Sequence, residues 1–441
     1  MSRIWSGGAS KDEGPDLSEI MTREDNLVDS LLIRYEIFGL IAYHLELAKS
    51  NVLKPEESRE ILSGLIKLSD SGLTMDSQYE DVHSLVEDSL KKITPAGNNL
   101  RVFLSRNDQS HYDIRSCYID TLLEISSRLL EIADSLMSRF SSLEGYMPGY
   151  THYRQAMPMS ISTYFDYIAS GMVEHSKEIM LLSDKLSEYC PLGYGSGYGS
   201  AVNVDFDSLA KSLGYRKFYK NPLSGASHRG MDDLEVVFYA AKTMTFISRI
   251  AQDFILFSSE ESGFLILPDG YTTGSSLMPN KRNPDFLEML QGYAADSLGV
   301  LTSSFSILMN KEIGYHREFQ ISKDRVINHL QLLLKILEAL KGFASALKVD
   351  QRKAQDRVEN QTHSTMEAYS MFRGGIPWKE AYLSVGNKLR TGERISEHVP
   401  PAIRSLEDIT IRSVKREVLR RQGRRMEVWN FTMKKAEESI L

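Results

Sequence analysis

Thr273-Gly274-Ser275-Ser276-Leu277-Met278-Pro279-Asn280-Lys281-Arg282-Asn283-Pro284-Asp285 sets a hydroxyl pair, a fixed cation and an amide into one short segment. Gly270 and Gly274 let the backbone turn, while Pro279 and Pro284 restrict the conformations it adopts. The serines are thereby presented at a tip. Ser/Asn/Gly-rich composition by default means a surface loop, but a serine pair beside lysine and asparagine is also the composition of a catalytic loop.

Outward from this segment, the chain has the make-up of an ordinary globular protein: 441 residues, 42% hydrophobic and 25% charged. That length is enough for about two to three domains with a large core. A net charge of −7 argues against a nucleic-acid partner, because phosphate binding needs a basic face. A small anionic substrate would need local cations. Cys117 and Cys190 are the only cysteines, too few for a disulfide framework, which fits a reducing cytoplasm. Met1 to Asp16 lacks the apolar run of a signal peptide. No run approaches the length of a membrane span, so no membrane partner is expected.

Apolar residues recur at three- and four-residue spacing over Asp113 to Phe140, Met159 to Tyr189, Asp232 to Glu260, Asp285 to Asn310 and Ser322 to Leu347. That period predicts helices. All five exceed the usual length of about 11 to 12 residues, which predicts an all-α fold built on a long central helical bundle. Stripes such as Leu330, Leu333, Leu337 and Leu340 must find partners, within the subunit or on copies of it. Breaks fall at Thr94 to Asn99, Gly145 to Pro158 and Pro191 to Ser200. The last reads Leu192-Gly193-Tyr194-Gly195-Ser196-Gly197-Tyr198-Gly199; without a preceding strand it is read as a close-packing turn rather than a phosphate cradle. Beyond Gln351 the periodicity shortens, and the basic run Arg412 to Arg425 is read as a solvated helix face. The expected division is an N-terminal, mainly helical domain 1–105, a central bundle 106–350 and a small C-terminal helical domain 351–441.

Four more segments carry chemistry. Glu80-Asp81-Val82-His83 precedes a helix, with Asp81 and His83 near its start. Ser105-Arg106-Asn107-Asp108-Gln109 offers a guanidinium, two amides and a hydroxyl, which suits bidentate recognition of a carboxylate and equally suits a helix cap. Pro148-Gly149-Tyr150-Thr151-His152 lets a loop aim Thr151 and a histidine, the side chain best poised for proton transfer near neutral pH. Tyr315-His316-Arg317-Glu318-Phe319-Gln320-Ile321-Ser322-Lys323 groups a phenol, an amide and an amine at the start of a helix.

Together these stretches resemble the fumarase/aspartase superfamily of lyases. Residues 274–283 are similar to its signature Gly-Ser-Ser-x-Met-Pro-x-Lys-x-Asn, and the following Pro284-Asp285 narrows the likeness to the argininosuccinate lyase family. Ser105 to Gln109 resembles that family's substrate-binding segment, and Tyr315, Gln320 and Lys323 its element for the substrate's amino-acid end. The resemblance runs from Ile4-Trp5-Ser6-Gly7-Gly8 through Tyr382 and thins after Leu389.

The resemblance implies a carbon–nitrogen lyase that releases fumarate and arginine from argininosuccinate, as in arginine biosynthesis, with no metal or organic cofactor. It implies Ser275 as base, His152 oriented by Glu288 as acid, and Lys281 as a catalytic cation that is also an alternative acid. It further implies Ser105, Arg106, Asn107, Thr151, His83, Asn283, Tyr315, Gln320, Lys323 and Asp25 as substrate-binding residues. The assembly implied is a homotetramer with a twenty-helix core and sites built from three chains. Another fumarate-releasing lyase, such as adenylosuccinate lyase, and a structural role like that of the delta-crystallins are the alternatives.

The chain departs from the family pattern in several places. Val102-Phe103-Leu104 replaces a polar run before Ser105, and Arg154 stands where a glutamine is expected. The Gly-rich segment replaces a Gly-Ala-Leu-Ala-Gly form. Asp25 replaces an early serine, with Asp29 following at the usual spacing. These changes bear on substrate contacts more than on the reaction.

Overall fold

Asp81 and Ser105 set two of the helix starts by taking up backbone N–H groups that the first turn leaves free. The computed structural model describes residues 28–76 and 79–440, so Ile4 to Gly8 and Asp25 lie outside the described residues. Helices α1 (Ile33–Lys49), α2 (Pro55–Asp70) and α3 (Val82–Ile93) come first, followed by α4 (Arg106–Phe140). Ser105 and Asp108 close a capping box on α4, and this starts the helix at Arg106 rather than at Asp113, where the apolar period begins.

An antiparallel hairpin follows, β1 (Tyr146–Thr151) with β2 (Arg154–Ser160), pairing Tyr146 with Ser160 and Thr151 with Arg154. The sequence reading has only a break here. His152 and Tyr153 form the two-residue turn at φ +52° and +58°, the left-handed pair that matches strand twist. Gly149 makes the close approach possible, because a Cβ there would stand 2.8 Å from the Met157 carbonyl oxygen.

The remaining long helices are α5 (Ile161–Leu186), α6 (Met231–Ser258), α7 (Asp285–Leu308) and α8 (Phe319–Ala346). With α4 they make the five-helix bundle that the periodicity predicts. Helix α4 packs on α5 and α8, and α6 on α7. Leu330, Leu333, Leu337 and Leu340 are all buried within the single chain. The bundle interior is knit by rings: Phe140 stacks on Phe165 with centroids 3.8 Å apart, and Phe254 and Phe286 lie 5.9 and 5.6 Å from Phe343.

Helices α9 (Ser364–Arg373) and α10 (Trp378–Arg390) enclose a small cluster of Ala368, Ala381, Val385 and Ile395. The last helix, α11 (Asp408–Ile440), returns to α4, α2 and α1. Trp429 stacks on Phe38 at 4.1 Å, and Arg421 and Arg425 pair with Asp184 and Asp120. The basic run is therefore only half a solvated face: Arg412, Arg416, Arg420 and Arg424 are exposed while Arg421 and Arg425 dock the helix. Among the described residues no helix is long and apolar enough to cross a membrane.

Phe165 touches rings of both α4 and α6. Phe165→Ala is expected to cost about 3–5 kcal/mol, read as a lower urea midpoint with helical circular dichroism unchanged in water. An unmoved midpoint would mean that the ring cluster does not hold the bundle together.

Candidate active site

The N-termini of α3 and α4 meet, and their caps aim side chains at one another. Asp81 caps α3, accepting from the Ser84 backbone N–H at 2.9 Å while its own N–H donates to Ser84 Oγ at 3.1 Å. Its second oxygen stands 2.5 Å from Arg106 Nε, and Glu80 Oε1 accepts from Arg106 Nη1 at 2.8 Å. Burial would raise the Asp81 carboxyl, but His83, to the extent that its ring is protonated, and the Arg106 guanidinium beside it outweigh that and hold it well below the usual carboxylate range. Ser105, expected to touch substrate, accepts from the Asn107 N–H at 3.2 Å and so caps α4. Its alternative reading as a cap is realised.

Asp108, fully buried, anchors this corner. Its Oδ1 accepts from the Ser105 N–H at 2.9 Å, and its Oδ2 accepts from Gly193 and Gly195 at 3.2 and 3.0 Å. The Gly-rich segment is thus the expected close-packing turn, and it also cradles a carboxyl group supplied by the chain itself. Gly193 sits at φ +113° with the Phe206 ring 2.7 Å from where a Cβ would be, so no other residue fits. Burial raises the Asp108 carboxyl; four backbone amides pull it back, leaving it at about 7.

In front of this corner is a pocket of about 50 Å³, enough for a few waters. Asp29, Glu80 to His83, Arg106, Asn107, Ser110, Arg229, His316, Arg317, Gln320 and Lys323 form its wall. Arg106, Asn107, His83, Gln320 and Lys323, named from sequence, therefore converge. Lys323 Nζ donates to Asp29 Oδ1 at 2.8 Å, and Asp29 Oδ2 accepts from the Val82 N–H at 3.0 Å. Tyr315 stands beside the pocket, its ring 6.0 Å from the Arg229 guanidinium. Its buried hydroxyl has no hydrogen-bond partner among the described residues.

Sequence reasoning missed Arg229. It donates to Asn107 Oδ1 at 2.5 Å from the turn before α6. Gly230 at φ +83° makes that turn, and an arginine directly before a helix-opening glycine was the available signal.

Six named residues are not brought to this pocket within one protomer. Ser275, Lys281 and Asn283 belong to a hairpin in which β3 (Thr273–Gly274) pairs with β4 (Arg282–Asn283). Ser275 Oγ accepts from the N–H groups of Leu277 and Met278 at 3.2 and 3.0 Å, so the hydroxyl organises its own loop. Lys281 is exposed at the tip, as is Glu288 on α7. Thr151 and His152 are exposed at the turn of the β1–β2 hairpin. The pocket alone offers cations and amides that hold a carboxylate, not a complete catalytic set.

A family described as Lyase matches residues 8–299. The argininosuccinate lyase of Thermotoga neapolitana is 31% identical over 394 residues, covering 88% of this chain and 98% of the relative. That of Clostridium botulinum is 31% identical over 394 residues, covering 87% of this chain and 88% of the relative. Among solved structures, EDDS lyase in complex with formate superposes with a TM-score of 0.77 at 19% identity, covering 98% of this chain and 96% of that one. A class II fumarase from Schistosoma mansoni gives 0.67 at 16% identity, covering 85% and 87%. These structural likenesses confirm the long-helix fold.

The raised Asp108 carboxyl has a consequence for stability. The folded form holds the proton up to about 7 whereas the unfolded chain releases it near 3.8, so stability declines as pH rises through that interval. Asp108→Asn is expected to flatten the part of the stability–pH curve between about 4 and 7, measured by urea unfolding across pH. An unchanged slope would show that Asp108 is ionised throughout.

Proposed function

The chain belongs to the lyase family of the fumarase/aspartase superfamily, and from that premise we propose that it cleaves argininosuccinate to arginine and fumarate. The observation that carries this reading is the meeting of three segments that resemble the argininosuccinate lyase family, at Asp81–His83, Arg106–Asn107 and Gln320–Lys323, on one cationic pocket. The relatives at 31% identity over most of the chain support it.

In the proposed reaction a proton leaves the carbon alpha to a carboxylate and beta to the departing nitrogen. The electron pair passes through an aci-carboxylate carrying two negative charges, and the C–N bond then breaks. Arg106 and Asn107 grip carboxylates, while Lys281 and Asn283 face the developing charge, each such donor contributing about 3–4 kcal/mol in a closed site. Ser275 takes the proton, its hydroxyl made basic by Lys281 and a dry, loop-closed site. His152, oriented by Glu288, protonates the leaving guanidino nitrogen. Substrate contacts are assigned to His83, Thr151, Tyr315, Gln320, Lys323 and Asp25, and Arg229 joins them as the partner that aligns Asn107.

Because these groups do not meet within one protomer, the site is completed by copies of the chain in a homotetramer. Helix α7 supports this. It is rich in apolar residues, yet Leu298 and Phe305, two turns apart on one side of it, are 60% and 52% exposed, and Met289 on the other side is 51% exposed, apolar surface that monomers seldom leave bare. The proposed units remain 1–105, 106–350 and 351–441. A reducing cytoplasm suits two buried free cysteines.

Absorbance of fumarate should appear on mixing with argininosuccinate and not with adenylosuccinate; the reverse would overturn the substrate assignment. Ser275→Ala should abolish single-turnover fumarate release while retaining substrate binding by titration calorimetry, because a base acts only as the proton leaves. Arg106→Ala should mainly weaken binding, and Ser276→Ala should retain far more activity than Ser275→Ala. Near-normal turnover in Ser275→Ala would assign the base elsewhere.

Shared sites carry their own test. Mixing inactive Ser275→Ala with inactive His83→Asn protein and letting subunits exchange should regenerate activity. A fully active monomer in light scattering would refute the shared-site assembly.

A further inference from the structure

Behind the wall of the pocket, three side chains converge from three helices: Glu36 of α1, His83 of α3 and Asp113 of α4. They are 2%, 2% and 0% exposed. His83 Nδ1 lies 3.1 Å from Glu36 Oε2 and 3.9 Å from Asp113 Oδ2. On its other side, His83 Nε2 is 2.8 Å from Ser110 Oγ, and Ser110 belongs to the pocket wall. Gln109 Nε2 donates to Glu36 Oε1 at 2.6 Å. Among the described residues no hydrogen-bond donor reaches either oxygen of Asp113.

An ionised carboxylate so placed would be buried beside a second one, a severe electrostatic cost. Something must neutralise the pair, and the candidates are a proton on the carboxyls, a proton on His83 and a divalent cation. The ligand atoms of the three residues all lie within 4.8 Å of one another, so a metal ion is a real competitor. The Asp113 and Glu36 carboxyls are close enough to act on each other directly, however. A single proton holds two carboxyls together, whereas two ionised carboxylates would part.

We propose that Glu36 and Asp113 share one proton and act as positioning residues, fixing His83 with its Nδ1–H toward Glu36 so that Nε2 sets the direction of the Ser110 hydroxyl. With that tautomer Nε2 is an acceptor, and Ser110 donates its hydrogen inward. The lone pairs of Ser110 then face the pocket, ready for an N–H group of the bound molecule. Burial first, and the nearby Glu36, Asp29 and Asp81 next, push the Asp113 carboxyl well above the usual range and so keep the proton there. The four cations of the same wall are engaged elsewhere, Lys323 with Asp29, Arg106 with Asp81, Arg317 with Glu80 and Arg229 with the Asn107 side chain.

Infrared difference spectroscopy and nitrogen NMR of histidine-labelled protein test the charge assignment without substrate. At about pH 9, carboxyls whose pKa lies well below that value are ionised, which includes Asp108 at about 7 and Asp233 at about 6. Wild type should then show a protonated-carboxyl band that is absent from Asp113→Asn, where the carboxyl is gone. It should be absent from Glu36→Gln too, where loss of the neighbouring charge lets Asp113 ionise. The His83 Nδ1–H tautomer should be present in wild type and lost in Glu36→Gln.

The inference rests on the proposed lyase reaction only for its kinetic consequence: Glu36→Gln should raise KM by about tenfold or more with a smaller effect on kcat, and Glu36→Asp should restore part of it. No such band in wild type, or one divalent metal per chain by elemental analysis that either variant removes, would overturn the proposal. If a variant fails to fold, the wild-type band and metal content still decide. Failure to cleave argininosuccinate with the band present would sink the function reading alone.

Discussion

The Asp108 carboxylate is the interaction on which the rest of this corner depends. One side chain accepts from the first turn of the longest bundle helix and from two amides of the Gly-rich turn. Those donors come from segments far apart in sequence, so the contact fixes where α4 starts relative to the turn after α5. The direction of Arg106 and Asn107, the next residues along the cap, follows from it. A helix N-terminus and a glycine nest each attract an anion, and here one internal carboxylate satisfies both. Neither remains free for a ligand, which leaves recognition to side chains.

Those side chains belong to a larger buried polar system at one end of the bundle. Arg115 donates to Asp232 at 2.6 Å, His111 lies 3.0 Å from the same carboxylate, and Tyr118 donates to Asp233 at 2.7 Å. Burial, with Arg115 beside it, pushes His111 down to about 4, so it serves as a neutral partner across the physiological range. The other end of the bundle is apolar and ring-packed. The Arg115, His111 and Tyr118 contacts hold the helices in one register there, while the stacked Phe140, Phe165, Phe254 and Phe343 supply cohesion that any well-filled core would give.

The contrast between the pocket and the loops explains why one chain is an incomplete enzyme in the proposed reading. Groups that hold anions are buried and locked by partners; the groups assigned to proton transfer stand on hairpin tips and on the bare side of α7. Ser275 and His152 lie at turns whose backbone is well defined, the first by two N–H contacts to its hydroxyl and the second by a left-handed turn pair. Exposed yet ordered presentation of this kind suits residues that complete a site on another surface.

Much of the fold was legible in the residues. The five long apolar periods became five long helices because burying a continuous stripe needs a 3.6-residue repeat and little else, and Asp81 and Ser105 cap where short polar side chains precede such runs. The hairpin at Tyr146–Ser160 was not legible, since its strands are short and its turn uses His152 and Tyr153 rather than glycine or asparagine. Of the candidate site, Arg106, Asn107, His83, Gln320 and Lys323 could be named in advance because the short segments that carry them resemble a known family's motifs. That Arg229 grips Asn107 and that Glu36 and Asp113 meet behind His83 were decided by tertiary structure alone. Each depends on distances between helices distant in sequence, and no local pattern encodes those.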